Sequence, residues 1–395
     1  MEQNENTPRA PRRRSPYQRN RRQQGIWLSW LLVGSIVVFL VLGLVTKDRE
    51  FSDNENRKLA QIPEISLAAL ADGSYIEGWG DYVADQFPGR DFWISLNLWM
   101  NKLTGQKEAN GVYLCGDDYL MQVPSSPDEE NLGKNIDAIN SFTQNHSNLS
   151  HYMSVIPNAV TIHADKLPKN APVRDQAADL QSIASRLNGT QFLDVTDALM
   201  EHNTEQLFYR TDHHWTSLGA YYAFQTIASG MGITPPAAND YTTYTVSTTF
   251  EGTLASKSGS HEAQDTVQIC VPNTSIEYYV TYPDSQSNIC SMYDRDALDQ
   301  KDHYTVFFGG NYSRVDITTT ADTSRNLLIF KDSYANCFVQ FLYPYFDHIT
   351  MIDPRYYYDN LEPVLNSEGI TDVLYLYNAD TFLTDSSLAD VLAGG

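Results

Sequence analysis

The sequence predicts an α/β domain, with helices on both faces of a mainly parallel sheet, behind a single transmembrane helix. Three observations carry this prediction. Residues 26–45 are uncharged and mostly apolar, and from about residue 130 strand-like runs alternate with helix-like runs. Residues 235–320 are instead rich in Thr, Ser, Tyr and Val, which favours an inserted set of antiparallel strands. Strands separated by helices of roughly 10–15 residues indicate a parallel sheet.

The apolar segment GIWLSWLLVGSIVVFLVLGLV is long enough to cross a membrane. About 20 apolar residues in a helix span a hydrocarbon core of ~30 Å. Seven arginines lie in residues 1–25, so the positive-inside rule predicts a basic cytoplasmic tail there and an extracellular body. A cleaved signal peptide is the alternative, but the end of the segment lacks an A-x-A site. We therefore predict a single-pass cell-membrane protein with an uncleaved signal anchor at 26–45.

The charge distribution argues against nucleic-acid binding. The whole chain has a net charge of −22, although its first 25 residues are strongly basic. An acidic body repels a phosphate backbone. We expect no nucleic-acid partner.

The part after the anchor is predicted as a short stalk followed by one large domain. Residues 46–58 (TKDREFSDNENRK) are charged and lack apolar periodicity, which suits a stalk. The extracellular domain then spans 59–395. It is predicted to begin with a helical region over residues 65–103 that Pro88-Gly89 divides in two.

The rest of the domain follows the alternating pattern. GVYLCGDDYLMQ predicts a hairpin that turns at Gly116-Asp117. Predicted helices are NLGKNIDAINSFTQN, AADLQSIASRLN, SLGAYYAFQTIASGMG and LEPVLNSEG. Predicted strands are HYMSVIPNA, LLIF, HITMID and TDVLYLYNAD, and TQFLDVTDAL is predicted as a strand that runs into a turn.

Four cysteines are present, and Cys270 and Cys290 flank a segment of strand-like and turn-like pieces. A Cys270–Cys290 disulfide is plausible outside the cell, and four free thiols are the alternative. The sequence holds no CxxC pair, so a zinc knuckle is not supported.

Ser333 follows the apolar run LLIF and precedes a helix-like segment. A serine at such a turn presents its hydroxyl at the carboxyl edge of the sheet, where α/β proteins form their sites. Backbone N–H groups at the start of the helix would be available to a developing oxyanion. The alternative is that Asp332 or Ser333 only caps the helix.

The stretch DHHW supplies a candidate base for this serine. Asp212 and His214 are two residues apart, so an extended segment points both to one side and His213 to the other. Asp212 would orient His214, and His214 would take the proton of Ser333. A metal-dependent phosphoesterase is the alternative, but such sites need several more acidic ligands than this segment offers.

These motifs together resemble the DHHW family, which is related to the alginate O-acetyltransferase-like SGNH proteins. The resemblance rests on DHHWT and LLIFKDSYAN and is supported, in order, by DQFPGRD, KEANGVYL, IPN followed by KLP, FFGGNY and IDPRYYY. These landmarks extend from about residue 59 to residue 380. The resemblance implies an SGNH-hydrolase-like three-layer α/β/α fold in which the motif order is permuted, with Asp and His before Ser.

The resemblance also implies roles for individual residues. The catalytic set falls on Asp212, His214 and Ser333. Arg355 is implied to contact substrate or shape the site, and an ion pair with Asp353 explains it equally well.

Four further residues are candidates for contact with the substrate or the oxyanion. Gly310 and Asn311 are implied as oxyanion donors, and a tight hairpin turn is the alternative. His213 and Tyr334 complete this group, and His213 is a departure from the family's D-x-H pattern that makes it a competing base.

The implied function is O-acetylation of an extracellular polysaccharide through an acyl-enzyme on Ser333. An acetyl esterase with the same residues and a non-catalytic glycan-binding scaffold are the alternatives. A separate membrane-bound O-acyltransferase is the implied acetyl source. No cofactor and no metal are expected.

Overall fold

The computed structural model describes residues 16–52 and 57–394. The chain divides into a smaller unit that runs to Ile94 and a larger unit that begins at Ser95. Residues 1–15 of the predicted basic tail lie outside the described residues.

The smaller unit begins with α1, whose segment Gln23–Val45 is long and apolar enough to cross a membrane. Where the stalk was predicted, two short strands pair, although residues 53–56 between them are not described. A break between the third and fourth helices falls at the predicted Pro88-Gly89, where Gly89 adopts a φ of 69°. The elements are α1 (Pro16–Val45), β1 (Phe51–Ser52), β2 (Arg57–Lys58), α2 (Leu67–Asp72), α3 (Ser74–Asp85) and α4 (Arg90–Leu103), which continues into the larger unit.

The larger unit contains the remaining strands and helices. Its strands are β3 (Glu108–Ala109), β4 (Val112–Leu114), β5 (Leu120–Gln122), β6 (Ser150–Ile156), β7 (Gln191–Phe192), β8 (Tyr241–Phe250), β9 (Asp265–Pro272), β10 (Tyr278–Tyr282), β11 (Ser287–Ile289), β12 (Arg314–Thr319), β13 (Asn326–Lys331), β14 (His348–Ile352) and β15 (Asp372–Asn378). Its helices are α5 (Glu129–Asn145), α6 (Ala159–Ile162), α7 (Gln176–Arg186), α8 (Thr196–Glu201), α9 (Ser217–Gly230), α10 (Thr253–Ser258), α11 (Tyr334–Phe338), α12 (Glu362–Ser367), α13 (Ala379–Thr384) and α14 (Leu388–Leu392).

An eight-stranded sheet forms the centre of this unit, in the order β11-β10-β12-β14-β13-β15-β6-β7. The strands from β14 to β7 are parallel, and β12, β10 and β11 continue the sheet as antiparallel strands. The β-rich segment 235–320 is therefore divided. Its first two strands, β8 and β9, form a separate two-stranded sheet, whereas β10, β11 and β12 extend the central sheet.

Alternation along β13 shows why helices cover both faces of the sheet. Leu327 and Ile329 pack into the core that contains α9 and α11, whereas Leu328 and Phe330 pack into the core that contains α5 and α7. All four side chains are fully buried. Successive residues of a strand point to opposite faces, so a strand buried on both sides reads as a continuous apolar run. Burial of each such side chain contributes roughly 1.5–3 kcal/mol.

The parallel register brings the carboxyl ends of three strands together. Phe330 of β13 pairs with Ile352 of β14 and with Tyr375 of β15. Residues that follow these positions, including Ser333 and Asp353, consequently lie at one edge of the sheet.

The suspected Cys270–Cys290 disulfide is wrong, because all four cysteines are free. Cys270 lies on β9 and is buried, with its Sγ 3.7 Å from the Thr243 hydroxyl of β8. Cys290 follows β11, at the outer edge of the central sheet, and is exposed. The two cysteines therefore belong to different sheets.

Candidate active site

Ser333 lies at the turn between β13 and α11. Its side chain makes no cap hydrogen bond to the helix. Asp332 takes that part, because one of its carboxylate oxygens accepts the N–H of Tyr334 at 2.9 Å. The other oxygen accepts the backbone N–H of Asn378 at 2.9 Å, which ties the turn to the end of β15. The serine hydroxyl is thereby left for another partner.

That partner is His214. Its Nε2 lies 2.7 Å from the Ser333 hydroxyl, and its Nδ1 lies 2.6 Å from Oδ1 of Asp212. A carboxylate only accepts hydrogen bonds, so Nδ1 carries the proton and Nε2 presents a lone pair to the serine. The three side chains form a continuous hydrogen-bonded series, with the base in the tautomer that can receive a proton.

Asp212 is held by donors on both of its oxygens. Oδ1 also accepts the backbone N–H of His214 at 3.0 Å, and Oδ2 accepts the backbone N–H and the hydroxyl of Thr253 at 2.7 and 2.8 Å. Burial alone would raise the pKa of Asp212, but the two neighbouring histidines outweigh it and hold the pKa well below its usual range. Gly252 leaves room for this arrangement, since a Cβ there would come within 2.2 Å of the Asp212 Cβ.

His213 and His214 differ although they are adjacent. The Thr253 hydroxyl donates to Asp212, so it accepts from His213 Nδ1 at 2.9 Å. The His213 side chain is 30% exposed, against 7% for His214. Burial opposes protonation of His213, but the charge of Asp212 outweighs it and raises the pKa. Burial, and next the charge of His213, lower the pKa of His214 to about 4.

Aromatic side chains brace the two segments against each other. The ring of Tyr304 stacks on the His214 ring with 3.7 Å between centroids, and its hydroxyl donates to the Ser333 carbonyl at 2.8 Å. Trp215 donates its indole N–H to the Tyr334 carbonyl at 3.0 Å, and the Tyr334 hydroxyl donates to the His213 carbonyl at 2.5 Å. The structure thus places the substrate candidate Tyr334 in the interior, as a link between the segments.

Gly310 and Asn311 meet a buried polar network beneath the serine turn. Lys331 donates from Nζ to Oδ1 of Asn336 at 2.9 Å and to Oδ1 of Asn311 at 3.4 Å. Asn336 donates from Nδ2 to that same Asn311 oxygen at 3.1 Å and to the Gly310 carbonyl at 3.3 Å. Lysine only donates, so the Asn311 atom that faces it is the oxygen. The Asn311 Nδ2 group is then the one turned away from the network.

Arg355 forms an ion pair with Asp353. Its Nε and one terminal nitrogen bind the two carboxylate oxygens at 2.8 and 2.6 Å, which is the pair that the sequence offered as an alternative to substrate contact. The guanidinium remains partly exposed. Burial and the charge of His213 lower the pKa of His214, and the positive charge of Arg355 lowers it further. Asp353 also lies 3.6 Å from Lys331, two residues before Ser333, which places the Arg355–Asp353 ion pair beside the serine turn.

The Asp212, His213 and His214 ligand atoms lie within 4.8 Å of one another, as a metal site would require. The carboxylate oxygens of Asp212 are, however, occupied by the His214 and Thr253 donors. A bound ion would have to displace these hydrogen bonds. The donor arrangement fits the orientation of a base better than it fits the coordination of a metal.

Sequence reasoning missed several residues that support this site. Thr253 and Tyr304 carried no recognisable pattern, because each reaches the site from a distant part of the chain. Asn336 lies only three residues after Ser333, within LLIFKDSYAN, but nothing in that motif showed that its amide faces Lys331. Lys331 did carry a signal. It follows an apolar strand run and precedes an aspartate, which predicts a buried charge that needs a partner.

A serine–histidine–aspartate series at the carboxyl edge of a three-layer α/β/α domain, with its serine only partly buried, is the arrangement of SGNH-hydrolase-like proteins. The family described as SGNH hydrolase-like domain, acetyltransferase AlgX, matches residues 118–319, and the family described as DHHW protein matches residues 55–143. The first match covers slightly more than half of the chain, so the chain belongs to the SGNH hydrolase-like AlgX acetyltransferase family. The predicted resemblance is confirmed. Asp212, His214, Gly310 and Asn311 fall within the first match, whereas Ser333 and Arg355 lie beyond it.

Solved structures are similar to the chain over most of their length. A DHHW family protein from Eubacterium siraeum is 25% identical, covers 72% of this chain and 96% of its own, and gives a TM-score of 0.62. PatB1 of Bacillus cereus, in a structure with a sulfonyl adduct, is 20% identical, covers 70% and 98%, and gives a TM-score of 0.58. No curated protein matches the sequence. The predicted SGNH-like α/β/α fold is confirmed.

Proposed function

We propose that the protein is a serine-dependent O-acetyltransferase that modifies an extracellular polysaccharide. The observation that carries the proposal is the hydrogen-bonded series from Asp212 through His214 Nε2 to the Ser333 hydroxyl, at 2.6 and 2.7 Å. Membership of an acetyltransferase family supports the acyl chemistry. The names of the relatives support it only by analogy.

The proposed reaction has two halves. In the first, the Ser333 oxygen attacks the carbonyl carbon of an acetyl donor while its proton moves to His214 Nε2. The bond to the leaving group breaks, the leaving group takes that proton, and an acetyl ester remains on Ser333. In the second half, a sugar hydroxyl gives its proton to His214 and attacks this ester, which releases the acetylated sugar and reprotonates Ser333.

Residues around the serine have stated parts in this proposal. Asp212 keeps His214 in the correct tautomer and stabilises the imidazolium that forms. Asn311 Nδ2 is the proposed side-chain donor to the oxyanion, because the Lys331 network holds its oxygen on the opposite side. Arg355, fixed by Asp353, is proposed to contact the substrate with its exposed edge.

The proposed setting is the outer face of the cell membrane. The segment Gln23–Val45 is compatible with a single-pass anchor, and the arginines before it favour a cytoplasmic N-terminus. Such an anchor would hold the site near a membrane-bound O-acyltransferase, the proposed partner that supplies the acetyl group.

The decisive experiment combines covalent labelling with an acetyl-transfer assay on the full chain in lipid nanodiscs. A sulfonyl fluoride is expected to add one group to wild type and to Ser229→Ala, a control at an exposed helical serine, and none to Ser333→Ala. With an activated acetyl ester as donor, an oligosaccharide acceptor is expected to gain acetyl groups by mass spectrometry.

Each contrary outcome has a distinct meaning. Acetate release without any acetylated sugar would make the protein an esterase. Absence of both labelling and turnover would overturn the enzyme proposal in favour of a glycan-binding scaffold.

A further inference from the structure

The smaller unit carries an apolar face on its helices that needs an occupant. Along α3, Ile76, Trp79 and Val83 recur at helical spacing, and Phe87 continues the row just past the helix end. All four are exposed, Ile76 to 76%. At 3.6 residues per turn these positions share one side of the helix. A row of large exposed apolar side chains marks a surface that contacts something other than water.

The corner between α3 and α4 adds aromatic residues to this face. Phe92 is 63% exposed, and Trp93 is exposed beside it with 5.3 Å between their ring centroids. We use the name apolar corner for Ile76, Trp79, Val83, Phe87, Phe92 and Trp93. Trp and Phe are the residues that amphipathic helices place at the boundary between lipid head groups and acyl chains.

The apolar corner lies against the predicted membrane span. The ring of Phe39 in α1 is 5.0 Å from the ring of Phe87 and 5.9 Å from that of Trp93, between centroids. Phe39 lies inside the span Gln23–Val45, six residues before its end. At 1.5 Å per residue this is about 9 Å below the end of the helix. Phe87 and Trp93 therefore lie at the same depth in the bilayer as Phe39, a residue inside the span.

Polar contacts fix the corner at the point where α1 ends. Arg49 pairs with Asp91 at 3.0 Å, and the Tyr82 hydroxyl donates to Asp48 at 3.0 Å. The Gln86 amide donates to the Arg49 carbonyl at 2.9 Å. The depth of the corner is thus set by contacts to the residues that directly follow the span.

We propose that the apolar corner is embedded in the outer leaflet of the bilayer, with phospholipid acyl chains and the head-group boundary as its partner. This proposal rests on the proposed membrane anchoring of α1 and goes beyond it. Glu77 and Asp81 lie about 100° and about 140° around α3 from Ile76, which suits a helix parallel to the membrane with its charges in the head-group layer. The bilayer is favoured over a protein partner because the face continues directly from the span.

Photocrosslinking of the full chain tests this proposal. Benzoylphenylalanine replaces Ile76 or Phe92 in protein reconstituted into phosphatidylcholine–phosphatidylglycerol vesicles. Tyr358, an aromatic residue of the larger unit that is 85% exposed, is the matched control, and Leu40 in the span is the positive control. After irradiation, lipid adducts are expected at Ile76 and Phe92 with yields close to that of Leu40 and about tenfold above that of Tyr358. Thermal unfolding of each variant verifies that it is folded.

The controls separate the failure of this proposal from failure of the anchor. Lipid adducts at Leu40 with none at Ile76 and Phe92 would overturn the embedded corner and leave the anchor intact. Absence of adducts at Leu40 as well would overturn both. A protein adduct at Phe92 in native membranes, in place of a lipid adduct, would assign the face to a protein partner and overturn the proposal.

Discussion

The two segments that meet at the Ser333–His214 hydrogen bond are held by different kinds of interaction. Around Asp212 and His214, a single negative charge is shared among neutral donors and two histidines. Around Ser333, full charges are buried beneath the turn, with Lys331 3.6 Å from Asp353 and Asp353 also bound by Arg355. The difference suggests a division of tasks. The histidine side is arranged to move a proton, whereas the serine side is arranged to stay rigid.

The largest effect is expected from the loss of the base on the histidine side. His214→Gln removes the base and should lower the rate of acyl transfer by about 10⁴-fold or more, because the serine loses its proton acceptor. His213→Gln is the matched control, since it changes the adjacent residue that bonds Thr253. At pH 8 it should leave the rate within about threefold of wild type. Steady-state kinetics of both variants checks this, and equal losses would show that the two histidines act together.

A purely steric change should disturb the same side without removing any polar group. Gly252 has an ordinary φ of −83°, so Gly252→Ala strains no backbone, but its new Cβ would lie 2.5 Å from Oδ2 of Asp212. Displacement of Asp212 should lower kcat by about 10²-fold or more, because small misplacement of a catalytic group is costly.

Gly80→Ala is the control for that variant, since a Cβ there meets nothing within 4 Å. Measured kcat should be unchanged in Gly80→Ala. An unchanged kcat in Gly252→Ala would mean that Asp212 is not held as tightly as its contacts indicate.

The serine side should respond more weakly, because its charges act through geometry. Lys331→Met frees Asn336 and Asn311 to rotate, and we expect kcat per folded molecule to fall by about 10–100-fold while KM changes little. Burial lowers the pKa of Lys331, and the negative charge of Asp353 opposes that effect and stabilises the charged lysine. Lys331 acts on the site through Asn336 and Asn311, so we treat it as a positioning residue.

Arg325→Met, at the residue directly before β13, provides the comparison. Arg325 pairs with Asp372 at 2.5 Å, at the opposite end of β13 and about 20 Å from Lys331. The Arg325→Met substitution should lower the thermal stability of the protein and leave kcat unchanged. Equal effects of the two variants on kcat would show that the loss follows stability and not the orientation of Asn311.

The smallest effect concerns the acid limb of the pH profile. His214 works as a base only when neutral, and its pKa is lowered to about 4, so activity should be constant from neutral pH down to about pH 5 and fall as pH approaches 4. The charge of His213 contributes to that lowering. In His213→Gln the midpoint should therefore move to higher pH, by up to about one unit. A midpoint that moves to lower pH would contradict the coupling.

The same shift has a consequence for stability with a defined sign. A folded-state pKa below the usual value of about 6.5 means that the unfolded chain binds the proton more readily. His214 therefore contributes stability that is present above about pH 6.5 and is lost as pH falls toward 4. The comparison of wild type and His214→Gln by thermal unfolding across this range measures it.

The parallel half of the fold was predictable because short segments of the sequence specify its strands and helices. An apolar run such as Leu327 to Phe330 packs into two cores at once. The contact between Asp212 and His214 was also predicted, but the extended segment on which that prediction rested is wrong. Residues 211–214 form bends, and His213 lies on the same side, with its Nδ1 3.4 Å from Oδ1 of Asp212. The partners of β10 to β12 were not predictable, since their composition specifies strands and says nothing about which sheet they join.

The supporting residues of the site escaped prediction for a related reason. Thr253 reaches Asp212 from 41 residues away, and Tyr304 reaches Ser333 from 29 residues away. The Cys270–Cys290 expectation failed in the same way, because spacing along the chain does not show which sheets two cysteines occupy. The roles of Arg355, Gly310 and Asn311 stay predictions, because geometry alone assigns no substrate contact.

The position of β15 in the sheet determines when, during synthesis, Ser333 and His214 can come together. This strand lies between β13 and β6, and its Asn378 secures the serine turn through Asp332. The sheet therefore cannot close until residues 372–378 have been synthesised, well after the histidine segment. Contacts between such distant parts of a chain form slowly. Ser333 and His214 would consequently meet only after β15 has been synthesised and has taken its place in the sheet.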